Sequence, residues 1–480
     1  MNTLRRIADT VFSLTAMRLV TALLSFLLFW LIARRAGQEV LGAYAVAMNL
    51  FLLLQQVPML GLHLALIRDA AAEPQQLPQN RLAMTWIALP VSVLLCGGVF
   101  IYAEVQFPGL RLPLWLVALA LVPTSLTGVT ESILLGRERL RLVAVVNVAE
   151  AAVRTLFIIL LVFAGFDLAS WMAVFLCGRL LAMLAYVRAG QTVRATELWQ
   201  GVPKVALRRY LKMCPTFAGI LLASAILARL DVFMLSQMLP LGEVGTYAAA
   251  AKIFEVALMA SSILVSALFP LFSATWQTRR EAFADLAQRT LRWILLLGVG
   301  AATAVGFAAE VLMLWLFGDS YQEAAAVLVW MMPAALFLAG SQVFSATMLA
   351  SSRQKMDLAA LVVSASALLA CLMLLVPAAG IRGAAWALSV AMAVQFVFRG
   401  AWFAAQWGAQ AVLRAVVPAA AAGLGLLLAW VVLRPLGDGI AAMGGLGAYV
   451  LTLLSNENVR SEAKALFGAA SPPLSGRNMQ

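Results

Sequence analysis

Apolar runs of about twenty residues recur from one end of the chain to the other, parted by short polar turns. Each run is long enough to cross ~30 Å of hydrocarbon as a helix. The runs do not alternate polar and apolar positions as barrel strands would, and a helix satisfies its own backbone hydrogen bonds in lipid. Each run therefore reads as a membrane-crossing helix. Fourteen are predicted, at roughly 11–33, 43–66, 82–102, 112–135, 142–164, 168–188, 213–239, 245–272, 292–317, 324–350, 358–378, 383–405, 412–433 and 439–455. Connections are short except 67–81, 189–211 and 273–291, and each of these follows an even-numbered span. The expected class is an all-α polytopic membrane protein.

The pattern repeats itself. Residues 39–44 (EVLGAY) line up with 242–247 (GEVGTY), each opening an even-numbered span. Arg137-Glu-Arg139, then an apolar run ending Ala164-Gly165-Phe166, matches Arg353-Gln-Lys355 and a run ending Ala379-Gly380-Ile381. This reads as a duplicated unit. The expected organisation is an N-lobe at 1–190 (spans one to six), a linker at 191–211 and a C-lobe at 212–406 (spans seven to twelve). Two further spans at 407–456 and a polar tail at 457–480 complete it. The linker's basic end, Arg208, Arg209 and Lys212, is expected at an anionic leaflet.

Composition fixes the class. Hydrophobic residues make up 63% of the 480 residues and charged ones 12%, too little polar surface for a protein dissolved in water. The net charge of +12 does not point to nucleic acid, because no basic, aromatic-interleaved folded segment lies outside the apolar runs. Its distribution is the informative part. With both termini on one side, about twenty-four Arg and Lys fall on that side, against Arg34, Arg35, Arg111, Arg382 and Arg434 on the other. The positive-inside rule then makes both termini cytoplasmic. The four cysteines have no paired spacing and suggest neither disulfides nor a metal site. The first apolar run is too long for a cleaved signal.

Ionisable groups inside spans cost about 2.5–3.5 kcal/mol each on insertion scales, so they are candidates for function. Glu150 and Arg154 are four apart and can pair along one helix face, and Lys252 and Glu255 are three apart and can do the same. For both pairs a register-fixing role and a functional one stand side by side. Arg229 and Asp231 are two apart and point to different sides. Similar depths predict an Asp231–Lys252 contact between spans seven and eight. Arg18, Arg179 and Arg229 have no nearby acid in sequence, which favours a water-filled cavity for an anionic ligand. Glu131 and Glu310 read as groups snorkelling from span ends, and His63 as a packing residue.

With these residues in hand, the chain resembles Wzx-type polysaccharide flippases, of the superfamily that also holds MATE multidrug transporters and the lipid II flippase. The resemblance rests on the two six-helix halves, the Gly-x-Tyr entries to spans two and eight, Arg229-Leu-Asp231, Leu268-Phe-Pro270 and the arginine-rich turn after span four. It implies two six-helix lobes that alternate access, moving a polyprenyl-diphosphate-linked oligosaccharide from the inner to the outer leaflet of the bacterial inner membrane. The two C-terminal helices would help form a groove for the lipid tail. By position, the diphosphate would fall to Arg18, Arg154, Arg179, Arg229 and Lys252, with Asp231, Glu255 and Glu150 as pairing or coupling acids. Asn49 stands where the repeat has Lys252, a departure from a symmetric cationic cavity.

Membrane lipids, the lipid-linked glycan, and a polysaccharide polymerase with export machinery are the implied partners. No cofactor is implied, and the coupling ion, H⁺ or Na⁺, stays open. A MATE-type drug antiporter would want an acid-rich cavity, whereas the unpaired charges here are mostly basic. A membrane glycan polymerase or ligase would want a large outer loop and a catalytic cluster, and the sequence has no Walker loop and no His/Cys cluster.

Overall fold

The computed structural model describes residues 2–189, 203–433, 435, 438–455 and 460. Among these, fourteen α-helices carry the chain. They are α1 (Asn2–Leu54), α2 (His63–Ala72), α3 (Leu77–Gln106), α4 (Arg111–Leu119), α5 (Leu121–Gly136), α6 (Leu140–Phe163), α7 (Leu168–Arg188), α8 (Lys204–Met238), α9 (Leu241–Thr278), α10 (Arg280–Leu316), α11 (Gln322–Ala350), α12 (Gln354–Trp407), α13 (Ala409–Leu433) and α14 (Asp438–Ser455).

Eleven segments are long and apolar enough to cross a membrane, and the chain is a multi-pass membrane protein. Two of them are too long for one crossing. Leu19–Leu54 turns at Gly37 (φ 83°), and Gln354–Trp407 turns at Gly380 (φ 56°). Glycine takes a left-handed conformation without a Cβ clash, so the chain can reverse there with no loop. Counting each as two, and adding α14, recovers the expected spans.

Three features differ from the sequence reading. Span two is not continuous, because residues 55–62 leave the helix around Pro58, Leu60 (φ 49°) and Gly61 (φ 74°). Span four is two helices, α4 and α5, meeting at Ala120. The connections 67–81 and 273–291 are largely helical, with α9 ending at Thr278 and α10 starting at Arg280. Their polar residues extend helices beyond the apolar zone and do not form loops.

The repeat is written into backbone conformation. Glu138 (φ 58°) and Ser352 (φ 60°) are non-glycine residues in the left-handed region, each just before a long helix. Arg139 N–H donates to Leu134 C=O at 2.9 Å, and Arg353 N–H donates to Met348 C=O at 2.8 Å. These are the same helix-ending turn, and they pair Arg353 with Arg139, two residues from the register expected.

Packing divides the chain into two units that do not follow the repeat. The first comprises Met1–Glu255, Glu310–Met331 and Leu358–Ala391. In it the two glycines of the duplicated motif meet. A Cβ on Gly42 would lie 1.8 Å from the Leu241 carbonyl oxygen, and one on Gly245 would lie 2.1 Å from that of Gln38. Only hydrogen fits, so α1 and α9 cross backbone to backbone. Beside this crossing Arg34 caps the end of α10, donating from Nε to the Leu316 carbonyl at 2.7 Å and from Nη2 to that of Trp315. Tyr321 donates to the Ala33 carbonyl at 3.3 Å. These bonds satisfy carbonyls that a helix terminus leaves free.

At the arginine-rich end of the same unit, α8 begins by docking on α2 and α3. Ala206 and Tyr210 are buried among Leu62, Ala65, Leu66, Ala83 and Met84. Arg209 pairs with Asp69 at 2.5 Å and with Glu73 at 3.1 Å. Burial pushes the Tyr210 hydroxyl up to about 12, so it stays protonated and donates to Asp69 at 3.0 Å. Arg209 is thus paired within the protein, whereas Arg208 and Lys212 are exposed.

The second unit comprises Val256–Ala309, Met332–Asp357 and Met392–Gln480. Its core joins Phe272, Phe283, Leu291, Phe344 and Phe403 to Ala419, Leu426 and Tyr449 of the last two helices. Arg399 is buried there, 2.8 Å from Asp357 and donating to Ser341 Oγ at 2.9 Å.

Candidate functional site

Two groups of charges stand in the first unit. The first lines a cavity of about 430 Å³ walled by α1, the broken turn after it, α2, α5, α6 and α7. Arg154 Nε donates to Glu150 Oε1 at 2.8 Å, and both side chains are largely buried. The expected i,i+4 pair is therefore formed. Arg179 lies against two rings, its guanidinium carbon 5.5 Å from the centre of Phe51 and 5.3 Å from that of Phe175. Phe175 also carries Arg154, at 5.2 Å. The ring faces attract both guanidiniums and hold them without neutralising them. Arg179 Nε is buried and has no hydrogen-bond partner. Glu150 and Glu131 are its electrostatic neighbours.

Glu131 does not snorkel from a span end. It lines the cavity, accepts from the Tyr186 hydroxyl at 3.3 Å and is hydrogen-bonded to Asn147. His63 lines the same cavity. With Arg154, Arg179, Glu131 and Glu150 all ionised, the formal charges cancel.

The second group joins α8 and α9 to α1. Arg229 Nη1 donates to Glu255 Oε1 at 2.7 Å and to Asn49 Oδ1 at 3.1 Å. Lys252 Nζ donates to Glu255 Oε2 at 3.2 Å and to Ser25 Oγ at 3.4 Å. One carboxylate serves two cations, leaving a formal charge of +1. Arg229 accordingly has an acid partner, which the sequence reading had denied it. Asn49, the residue that departs from the repeat, supplies the acceptor.

Asp231 belongs to neither group. It accepts from the Tyr247 hydroxyl at 2.7 Å and from the backbone N–H of Val232 at 2.8 Å. The expected Asp231–Lys252 contact is not formed. Tyr247 and Lys252 are five residues apart on α9, about 140° around the helix, so only one of them can face Asp231. Depth alone had matched the wrong residue. The side chain of Arg18 lies outside the described residues. Glu310 is exposed.

The two groups are neighbours through α1. Asn49 touches the second and Phe51, two residues on, touches the first. Sequence reasoning missed the polar turn at Gln55 and Gln56 and the hydroxyl-rich face of α5, both of which line the cavity. Pro58 and Gly61 within four residues, and the run Thr124-Ser-Leu-Thr-Gly-Val-Thr-Glu131-Ser132, were the available signals. Among the described residues no group of His, Cys, Asp and Glu could hold a metal ion.

A family model described as polysaccharide biosynthesis protein matches residues 7–276. No curated protein sequence matches. Among solved structures, the fold is similar to the lipid II flippase MurJ in an inward closed conformation, with TM-score 0.72 and 12% identity over 95% of this chain and 98% of that one. It is also similar to an inward-facing MATE-family multidrug resistance transporter of the MOP superfamily, with TM-score 0.67 and 13% identity over 80% of this chain and 94% of the other. A Vibrio cholerae MATE transporter gives TM-score 0.58 and 14% identity over 86% and 98%. At these identities the likeness is one of fold.

Proposed function

We propose that this chain, which belongs to the polysaccharide biosynthesis protein family and has the fold of the lipid II flippase and MATE transporters, is a Wzx-type transporter whose cargo is a polyprenyl-diphosphate-linked oligosaccharide. The movement is from the inner to the outer leaflet of a bacterial inner membrane, with the arginine-rich end cytoplasmic. The observation that carries this reading is Arg179. It is a guanidinium set against the touching rings of Phe51 and Phe175 at the wall of a polar cavity. Arg179 lines the cavity, so an anion entering it would meet this guanidinium. Arg matches phosphate with paired, charge-assisted hydrogen bonds.

The second group supplies the next station. Arg229 and Lys252 share Glu255, so an incoming phosphate can replace a carboxylate without leaving a cation bare. The headgroup would pass from Arg179 and Arg154 to Arg229 and Lys252 along α1. The sugars would stay in the polar cavity and the polyprenyl chain in lipid. The repeat architecture supplies the two arrangements that alternating access requires.

The test is made in cells. Arg179→Ala, expressed at the wild-type level, should leave the lipid-linked glycan in the inner leaflet, unavailable for outer-face polymerisation. Normal outer-leaflet supply would remove the headgroup role from Arg179.

A further inference from the structure

The cavity beside Arg179 has a second wall, mostly of hydroxyl and amide side chains, that the diphosphate reading does not use. On α5, Thr124 Oγ1 donates to the Ala120 carbonyl at 2.7 Å, Thr127 Oγ1 to that of Thr124 at 2.9 Å, and Ser132 Oγ to that of Gly128 at 2.8 Å. A hydroxyl has one hydrogen to give and two lone pairs. With the hydrogen spent on the helix's own backbone, each oxygen is left as an acceptor, and all three residues line the cavity. Glu131, on the same helix, is an acceptor as well. Opposite in chemistry are Gln55 and Gln56, whose side-chain amides both donate and accept.

Those two glutamines reach the cavity because span two is broken there. The break places Leu60 at φ 49°, a left-handed conformation that a residue with a Cβ disfavours. Strain of this kind persists where the surrounding structure enforces it, and it clusters at binding sites. A continuous helix would bond the backbone fully and present fewer polar groups. The turn keeps two amides facing α5 across a polar space in a chain that is otherwise 63% hydrophobic.

A ligand for this wall must offer several hydrogen-bond donors, accept a few bonds and carry no negative charge, since Glu131 would oppose one. Sugar hydroxyls meet all three requirements. We propose that Gln55, Gln56, Thr124 and Thr127, with Glu131, form a saccharide subsite that reads an uncharged sugar next to the diphosphate. The inference rests on the headgroup reading of Arg179 and adds the substrate's specificity to it. The subsite selects among lipid-linked glycans, whereas the arginines accept any lipid diphosphate.

The experiment uses the full chain in nanodiscs and two probes: a polyprenyl diphosphate carrying one N-acetylhexosamine, and the same lipid diphosphate without sugar. The wild type should bind the sugar-bearing lipid at least tenfold more tightly. Thr124→Val with Gln56→Leu removes two contacts and should erase that preference, about a tenfold loss, leaving affinity for the bare lipid unchanged. Thr124→Ser should restore it. Gln56 is exposed, so Gln56→Leu alone keeps the test open if the double variant does not fold, with a partial loss expected. A preference that survives these changes overturns the subsite while leaving the headgroup reading intact. Failure of the wild type to bind either lipid overturns the headgroup reading and the subsite with it.

Discussion

The two charged groups of the first unit use the same residue types to different ends. Around Arg179 and Arg154, two cations face two carboxylates, Glu131 and Glu150, and aromatic rings take the place of further anions. Around Arg229 and Lys252, two cations share a single carboxylate, Glu255, which is 40% exposed. The first group is neutral in sum yet has an unsatisfied donor. The second is positive in sum, with Arg229 and Lys252 both donating to acceptors. Net charge alone would put the phosphate at the second group, and the polar cavity that Arg154 and Arg179 line puts it first at theirs. A site that binds and then hands on needs both.

Five changes probe this contrast, from the largest effect downward. Gly42→Ala should remove both groups together. Its Cβ would sit 1.8 Å from a carbonyl oxygen, forcing apart the helices that carry Asn49, Phe51 and Lys252 at a cost of about 3 kcal/mol or more. A thermal unfolding midpoint unchanged from wild type would mean that the crossing yields easily. Arg179→Ala should reduce lipid diphosphate binding about a hundredfold, the size expected for losing charge-assisted bonds in a shielded cavity. Arg229→Ala should cost less, because Lys252 remains. Equal losses in equilibrium binding would erase the distinction between the groups.

Glu255→Gln should sharpen the comparison. It frees two cations from their shared anion, so headgroup affinity should rise about tenfold while transfer slows, because the carboxylate no longer competes for release. Faster transfer would show that Glu255 plays no part in release. Asp231→Ala should have the smallest effect on the ligand, under about twofold. It leaves the buried Tyr247 hydroxyl without its acceptor and should lower stability by about 1–3 kcal/mol. A large change in ligand binding would draw Asp231 back into the site.

The legible parts of this chain were those that obey a period. Apolar runs located the helices, and the recurring Gly-x-Tyr marks a crossing where two backbones touch. The i,i+4 pair Glu150–Arg154 and the i,i+3 pair Lys252–Glu255 followed from spacing alone. Contacts between helices were not legible, because rotation about each axis decides them. Asp231 was matched to Lys252 by depth, and the side chain facing it is Tyr247. Arg229 was counted as partnerless since its acid lies 26 residues away on the next helix. The broken turn at 55–62 was hidden because Leu60, at its centre, is an ordinary apolar residue in the sequence. The family match places this chain among polysaccharide biosynthesis proteins.

The most direct measurement is transbilayer movement of a fluorescent polyprenyl-diphosphate saccharide in proteoliposomes holding wild type, Arg179→Ala or Arg179→Lys. Wild type should move the lipid, Arg179→Ala should fall to the protein-free rate, and Arg179→Lys, which keeps the charge without the paired N–H groups, should lie between them. Movement by Arg179→Ala at the wild-type rate would contradict the account.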